Sequence, residues 1–92
     1  YLKQLTAVAN ASTTSRIIIA KLDVTNITDI ENLAQLITDH VGSQGLNVVI
    51  NNAGIFDRAT SSLYTSTLDA LTRTFQVNAA GPLLITQVTK KA

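Results

Sequence analysis

Three short stretches of this chain carry side chains whose type and spacing could do chemistry. Asp23-Val24 follows an apolar run, Asn51-Asn52-Ala53-Gly54 follows a second, and Asn78 stands four residues before Pro82. Asp23 offers a carboxylate acceptor, and Ala53-Gly54 offers a small surface over which a flat ligand or a sugar could approach the main chain. Asn78 interrupts a stripe of apolar residues, so its amide needs polar partners. Pro82 has no N–H, so the carbonyl of Asn78 loses its usual helical donor and is left for water or a ligand, and the ring is expected to kink the helix. Each stretch also has a plainer reading. An Asp after a strand is commonly a turn former or helix-entry residue, and Asn-Asn-Ala-Gly can be turn chemistry alone. Asn78 can equally be a buried amide satisfied by neighbouring backbone beside an incidental kink.

Other polar residues lack the company that catalysis needs. His40 lies near the end of a helical pattern, where the helix dipole favours an imidazolium, and no second histidine exists to pair with it on a metal. Asp29, Glu31 and Asp39 read as a solvated helix face and its ends, and Ser61, Ser62 and Tyr64 fall in a polar loop with no nearby base. Gly42, Gly45, Gly54 and Gly81 form neither a dinucleotide fingerprint nor a P-loop. No metal site is expected.

The elements that must position these residues follow from periodicity. Leu2, Leu5, Val8 and Ala9 recur at helical spacing before a polar loop. Residues 16–22 and 46–51 are short apolar runs of the kind buried on both faces in parallel sheets. Between them, Thr28-Asp29-Ile30-Glu31 matches a capping box, and Ile30, Leu33, Ala34, Ile37 and Val41 mark one helical face that ends at Gly42. From about Ser66 to Lys90, Leu68, Leu71, Phe75, Asn78, Pro82 and Ile85 form one stripe, predicting a single long helix. Helix, strand, helix, strand, helix is the order of an α/β fold with right-handed crossovers and a parallel sheet covered by helices. In such sheets ligands bind beyond the carboxyl ends of the strands, which is where Asp23-Val24 and Asn51-Asn52-Ala53-Gly54 stand.

Composition bounds the function. The 92 residues are 46% hydrophobic and 14% charged with a formal net charge of +1, the profile of a chain with a core. The charges are scattered apart from Lys90-Lys91, which argues against nucleic acid and against a membrane surface. The longest unbroken apolar run is far short of a membrane span. There is no cysteine, which suits a reducing, cytoplasmic setting. The chain opens at Tyr1 and holds no methionine, so it is expected to be an internal piece of a longer reading frame.

Taken together, Asp23-Val24, Asn51-Asn52-Ala53-Gly54, Val77-Asn78 and Gly81-Pro82 resemble the middle of a short-chain dehydrogenase/reductase. The stretch from Gly45 to Ile55 is most similar to the carbonyl reductases of the C-factor and sniffer type. The resemblance implies part of a doubly wound, three-layer Rossmann-type parallel sheet, with residues 1–92 as the central, incomplete piece of one NAD(P)-binding domain. It implies a parent enzyme that moves hydride between a nicotinamide dinucleotide, NAD or NADP, and a carbonyl or alcohol substrate. Asp23 and Val24 would then meet the adenine, Asn51, Ala53 and Gly54 would line the adenosine and ribose side, and Asn52 would brace the sheet. Asn78 would be the family's catalytic Asn, its main-chain carbonyl holding a water in a proton relay.

The Gly-rich turn, the active-site Ser and the Tyr-x-x-x-Lys pair of that family do not occur in this chain, so the chain alone is expected to be inactive. The last helix resembles the helix used for dimer pairing, although a core helix explains its stripe equally well. In the implied strand order the two strands here are not neighbours, and poor folding in isolation is expected. A non-catalytic nucleotide-binding module and a ligand-free α/β interaction domain remain as alternatives, since fold alone does not set function.

Overall fold

The computed structural model describes residues 1–91; Ala92, the last residue of the expected domain segment, lies outside the described residues. Four α-helices alternate with non-helical apolar runs: α1 is Leu2–Ala11, α2 Ile27–Val41, α3 Leu68–Phe75 and α4 Gly81–Lys91. A π turn, Gln76–Ala80, joins α3 to α4, so the long helix expected near the C-terminal end is present but carries one wide turn. Single 3-10 turns occur at Gly42–Gln44 and Arg58–Thr60.

The start of α2 corrects the expected capping box. The N-cap is Asn26, two residues before Thr28, and its side-chain oxygen accepts from the Asp29 main-chain N–H at 3.0 Å. Asn relieves an unpaired first-turn amide as well as Thr does, and Asp29, whose carboxylate accepts from the Asp23 N–H rather than from the cap, adds a negative charge where the helix dipole favours it. The other end behaves as expected. Gly42 turns the chain at φ 54° while its N–H donates to the carbonyl of Thr38.

Residues 16–22 and 46–51, expected as parallel strands, form no strand pairing among the described residues. A strand is defined by its neighbour. In the strand order implied by the resemblance, two others separate these, so neither run has its ladder partner here. Their side chains accordingly stay open to solvent, with Val48 at 71% and Ile50 at 81% exposure.

What is buried is the seam between α2 and α4, which pack on one another. Ile30 from α2 and Ile85 from α4 are its buried aliphatics, at 2% and 7% exposure. Thr89 is buried beside them and donates its hydroxyl to the carbonyl of Ile85 at 2.8 Å, so it needs no partner from elsewhere. The radius of gyration is 16.2 Å, against about 12 Å for a compact domain of this length. An apolar cavity of about 310 Å³ accounts for part of that openness, bordered by both apolar runs and by Leu33, Ile37, Ile85 and Thr89.

The expected stripe on the long helix is split by the π turn. Leu68, Leu71 and Phe75 face solvent, while Ala70, Thr74 and Val77 are half-buried. A π turn inserts an extra residue, and each residue of an α-helix advances the face by roughly 100°. The aliphatic side of α3 and the buried side of α4 therefore do not line up.

Candidate functional site

The ends of the two apolar runs meet α4 and the π turn. Asn78, within that turn, is exposed, yet both ends of its amide are bound: Oδ1 accepts from the Ile55 main-chain N–H and Nδ2 donates to the Ile55 carbonyl, each at 2.8 Å. The side chain thus pairs with Ile55 as a neighbouring strand would, and ties the helix to the loop just past Gly54. A Cβ on Gly54 would lie 3.5 Å from that same Oδ1. The amide partners are main-chain groups, as the plainer reading of Asn78 supposed, but the residue is exposed rather than buried as that reading had it.

The main chain around Asn78 departs from α geometry. Gly81 N–H donates to the carbonyl of Gln76, one residue farther back than in an α-helix. Pro82 has no N–H to close the next α-helical bond, the one onto the Asn78 carbonyl. The break expected from Pro82 therefore takes the form of a wide turn.

Gly81 brings in the end of the first apolar run. A Cβ there would lie 2.8 Å from the Val24 carbonyl oxygen and 3.1 Å from the Val24 Cβ and Cγ2, so only glycine lets the helix approach this closely. Val24 also shares the apolar cavity with Asn51, Ala53, Val77 and Pro82. Asn51 reaches α4 through a long bond from Nδ2 to the Thr86 hydroxyl, 3.4 Å.

Asp23 is held on almost every polar atom. Its main-chain N–H donates to the Asp29 carboxylate at 2.9 Å, and its carbonyl accepts from Asn26 N–H at 2.9 Å. Its Oδ1 accepts from the Thr25 N–H at 2.9 Å and from the Thr25 hydroxyl at 2.7 Å. The hydroxyl bond is the largest reason why the Asp23 carboxyl sits below its ordinary pKa; the main-chain bond is second, desolvation opposes both, and the Arg73 and Lys21 charges add smaller lowering contributions. With Asp69, Thr72, Arg73 and Gln76, Asp23 borders a polar cavity of about 530 Å³.

Val24, Asn51 and Ala53 thus share the apolar cavity with the α3–α4 helix, Gly54 lies against Asn78, and Asp23 borders the separate polar cavity. Asn52 and Val77 accompany them at the apolar cavity. Asp29, read from sequence as part of a solvated face, is instead half-buried and braces Asp23. Thr25, Arg73 and the Ile55 main chain were not singled out by the sequence. The Asp-x-Thr spacing, a common side-chain turn, was the available signal for Thr25. His40 is exposed and bonds through Nδ1 to the carbonyl of Leu36 in its own helix. Among the described residues no group of three or more His, Cys, Asp or Glu side chains could hold a metal ion. None of the described helices is long and apolar enough to cross a membrane.

Comparisons with known proteins fit this arrangement. Over 65 residues, 71% of this chain, the sequence is 32% identical to galactitol 2-dehydrogenase of Agrobacterium fabrum (strain C58 / ATCC 33970), of which it covers 24%. The fold matches the crystal structure of NADPH-bound carbonyl reductase from chicken fatty liver with a TM-score of 0.79 and 27% identity, covering 96% of this chain and 32% of that one. The chain therefore spans about a quarter to a third of the length of these relatives. The profile of the short chain dehydrogenase family matches residues 2–92, and the chain belongs to that family.

Proposed function

We propose that this chain is the central part of a single Rossmann-type domain in an NAD(P)-dependent oxidoreductase, which transfers hydride between a nicotinamide ring and a carbonyl or alcohol substrate. The observation that carries the reading is the pair of ties that brings both run ends to one helix: the Asn78–Ile55 pair beside Gly54 and the Gly81–Val24 contact next to Asp23. The relatives support it: one is a galactitol 2-dehydrogenase and the other a carbonyl reductase with NADPH bound.

The residues present fit a dinucleotide. Asp23 keeps Oδ2 as an acceptor at a polar cavity, suited to an exocyclic amino group, and Val24 beside it offers main chain and an apolar surface to a base. Asn51, Ala53 and Gly54 would line the adenosine and ribose side, Gly54 presenting bare backbone. The nicotinamide, when bound, supplies the hydride chemistry. Asn78 would contribute its carbonyl: its side chain is committed to Ile55 and Pro82 supplies no α-helical donor, which supports that oxygen as the one to hold a water for proton relay.

The apolar cavity bordered by the two runs is where further strands of a parallel sheet would seat, completing three layers. The exposed Leu68, Leu71 and Phe75 face of α3 would pack against a second copy in an oligomer. A cytoplasmic setting accords with the cysteine-free sequence.

The test is titration of the complete protein carrying this chain with NADPH and with NADH, followed by reduced-nicotinamide fluorescence. Saturable binding of at least one, weakened by Asp23→Ala, is expected. Binding of neither cofactor by the folded protein would refute the reading.

A further inference from the structure

The hydrogen bonds around Asp23 divide its two carboxylate oxygens unequally. Oδ1 takes both the main-chain N–H and the hydroxyl of Thr25, at 2.9 and 2.7 Å, while the N–H and C=O of Asp23 are committed to Asp29 and Asn26. Among the described residues Oδ2 is the one polar atom of Asp23 without a partner. Two donors converging on one oxygen fix the plane of the carboxylate, and that plane decides where the second oxygen points. Asp23 borders the polar cavity that Thr25, Arg73 and Gln76 also line.

The geometry points to Thr25 as a positioning residue: its hydroxyl fixes the Asp23 carboxylate so that Oδ2 selects a base carrying an amino donor, adenine, over one carrying a carbonyl at the same place. This rests on the dinucleotide reading above and extends it to a residue outside the base contact itself. An ionised carboxylate only accepts hydrogen bonds, so it rewards an exocyclic amino group and repels the carbonyl of hypoxanthine. The repulsion discriminates only while the oxygen is held in place, and Thr25 rather than the ligand holds it. A valine at position 25 keeps the shape and the main-chain bond and removes the hydroxyl donor.

The experiment measures, in the complete protein, the ratio of affinities for NADPH and for its hypoxanthine analogue in wild type, Thr25→Val, Thr25→Ser and Asp23→Asn, with thermal unfolding of each. Wild type and Thr25→Ser are expected to prefer the adenine form. Thr25→Val should lose about three- to tenfold of that preference, the worth of one ordinary hydrogen bond, with at most a small fall in unfolding temperature. Asp23→Asn should abolish or invert the preference. A general loosening of the loop would weaken both dinucleotides alike and leave the ratio where it was. If Asp23→Asn changes the ratio and Thr25→Val does not, the role of Thr25 is overturned and the base contact stands. If Asp23→Asn leaves the ratio unchanged, the base contact itself is wrong and the positioning role goes with it. Should Thr25→Val fail to fold, Thr25→Ala removes the same hydroxyl and its ratio decides in the same way.

Discussion

Replacing Gly81 by alanine sets two opposed effects against each other at one position. Gly81 has φ −56° and ψ −55°, ordinary helical values, so alanine meets no backbone strain there. Intrinsic propensity alone then favours alanine by about 0.8–1 kcal/mol. Against this, the new Cβ would sit 2.8 Å from the Val24 carbonyl oxygen, a backbone atom that cannot swing aside, and 3.1 Å from two side-chain atoms of the same residue. Overpacking of this kind costs about 1–3 kcal/mol. The clash outweighs the propensity gain over most of that range, so a net loss of up to about 2 kcal/mol is expected. The displacement falls on Val24 and hence on Asp23, so dinucleotide affinity should drop with stability.

Urea denaturation and cofactor titration of the complete protein measure the two effects. Ala79→Gly, at an exposed position in the adjoining turn, gives the propensity contribution by itself. A Gly81→Ala protein more stable by about 1 kcal/mol, the full propensity gain, with unchanged affinity would show that the helix and the Val24 loop do not touch as described.

Three further outcomes follow from the same geometry. Pro82→Ala supplies an N–H to the Asn78 carbonyl; hydride transfer should fall about 10- to 100-fold, the lower part of what a proton-transfer group contributes, while cofactor affinity holds, and unchanged turnover would remove Asn78 from the relay. The Asp23 carboxyl has its folded-state pKa depressed, first by the Thr25 hydroxyl bond. Its stabilisation is therefore present above the unfolded pKa and lost as pH falls through the folded one. The stability gap between wild type and Asp23→Asn should close on acidification below the ordinary carboxylate range, and a gap that widens there contradicts the bonding. In the 92-residue chain studied alone, amides of residues 17–19 and 48–50 should exchange without protection; strong protection in a monomer would mean that these runs pair with something inside the chain.

Which features could be read from sequence depended on whether their causes lie nearby in the chain. The face of α2 was legible because Ile30, Leu33, Ala34, Ile37 and Val41 are set by the turn of one helix, and Ile30 is indeed buried. Its cap was misplaced because Thr28–Glu31 and Asn26–Asp29 satisfy the same local pattern, and only the loop around Asp23 decides between them. Asn78 was legible as a polar interruption. That both ends of its amide would bind Ile55, 23 residues away, was not, since no periodicity encodes a contact between a helix and a loop. The expected stripe failed at the π turn for a related reason: residue spacing presumes a constant 3.6 residues per turn, and Pro82 breaks that presumption.

The sheet and the ends of the apolar runs fare differently here, and the difference says what holds each. A parallel ladder requires neighbouring strands, and the apolar runs at 16–22 and 46–51 have none. The ends of the two runs are nevertheless held, because their ties run to helices: Asn78 to Ile55, Gly81 against Val24, and Asp29 at the start of α2 to the Asp23 main chain. These are polar or close-packing contacts that fix position and bury little apolar surface. The buried aliphatics Ile30 and Ile85 cannot by themselves offset the ordering of 92 residues. Additional strands in the apolar cavity would therefore supply mainly stability, whereas the placement of Asp23, Gly54 and Asn78 is already specified by contacts within this segment.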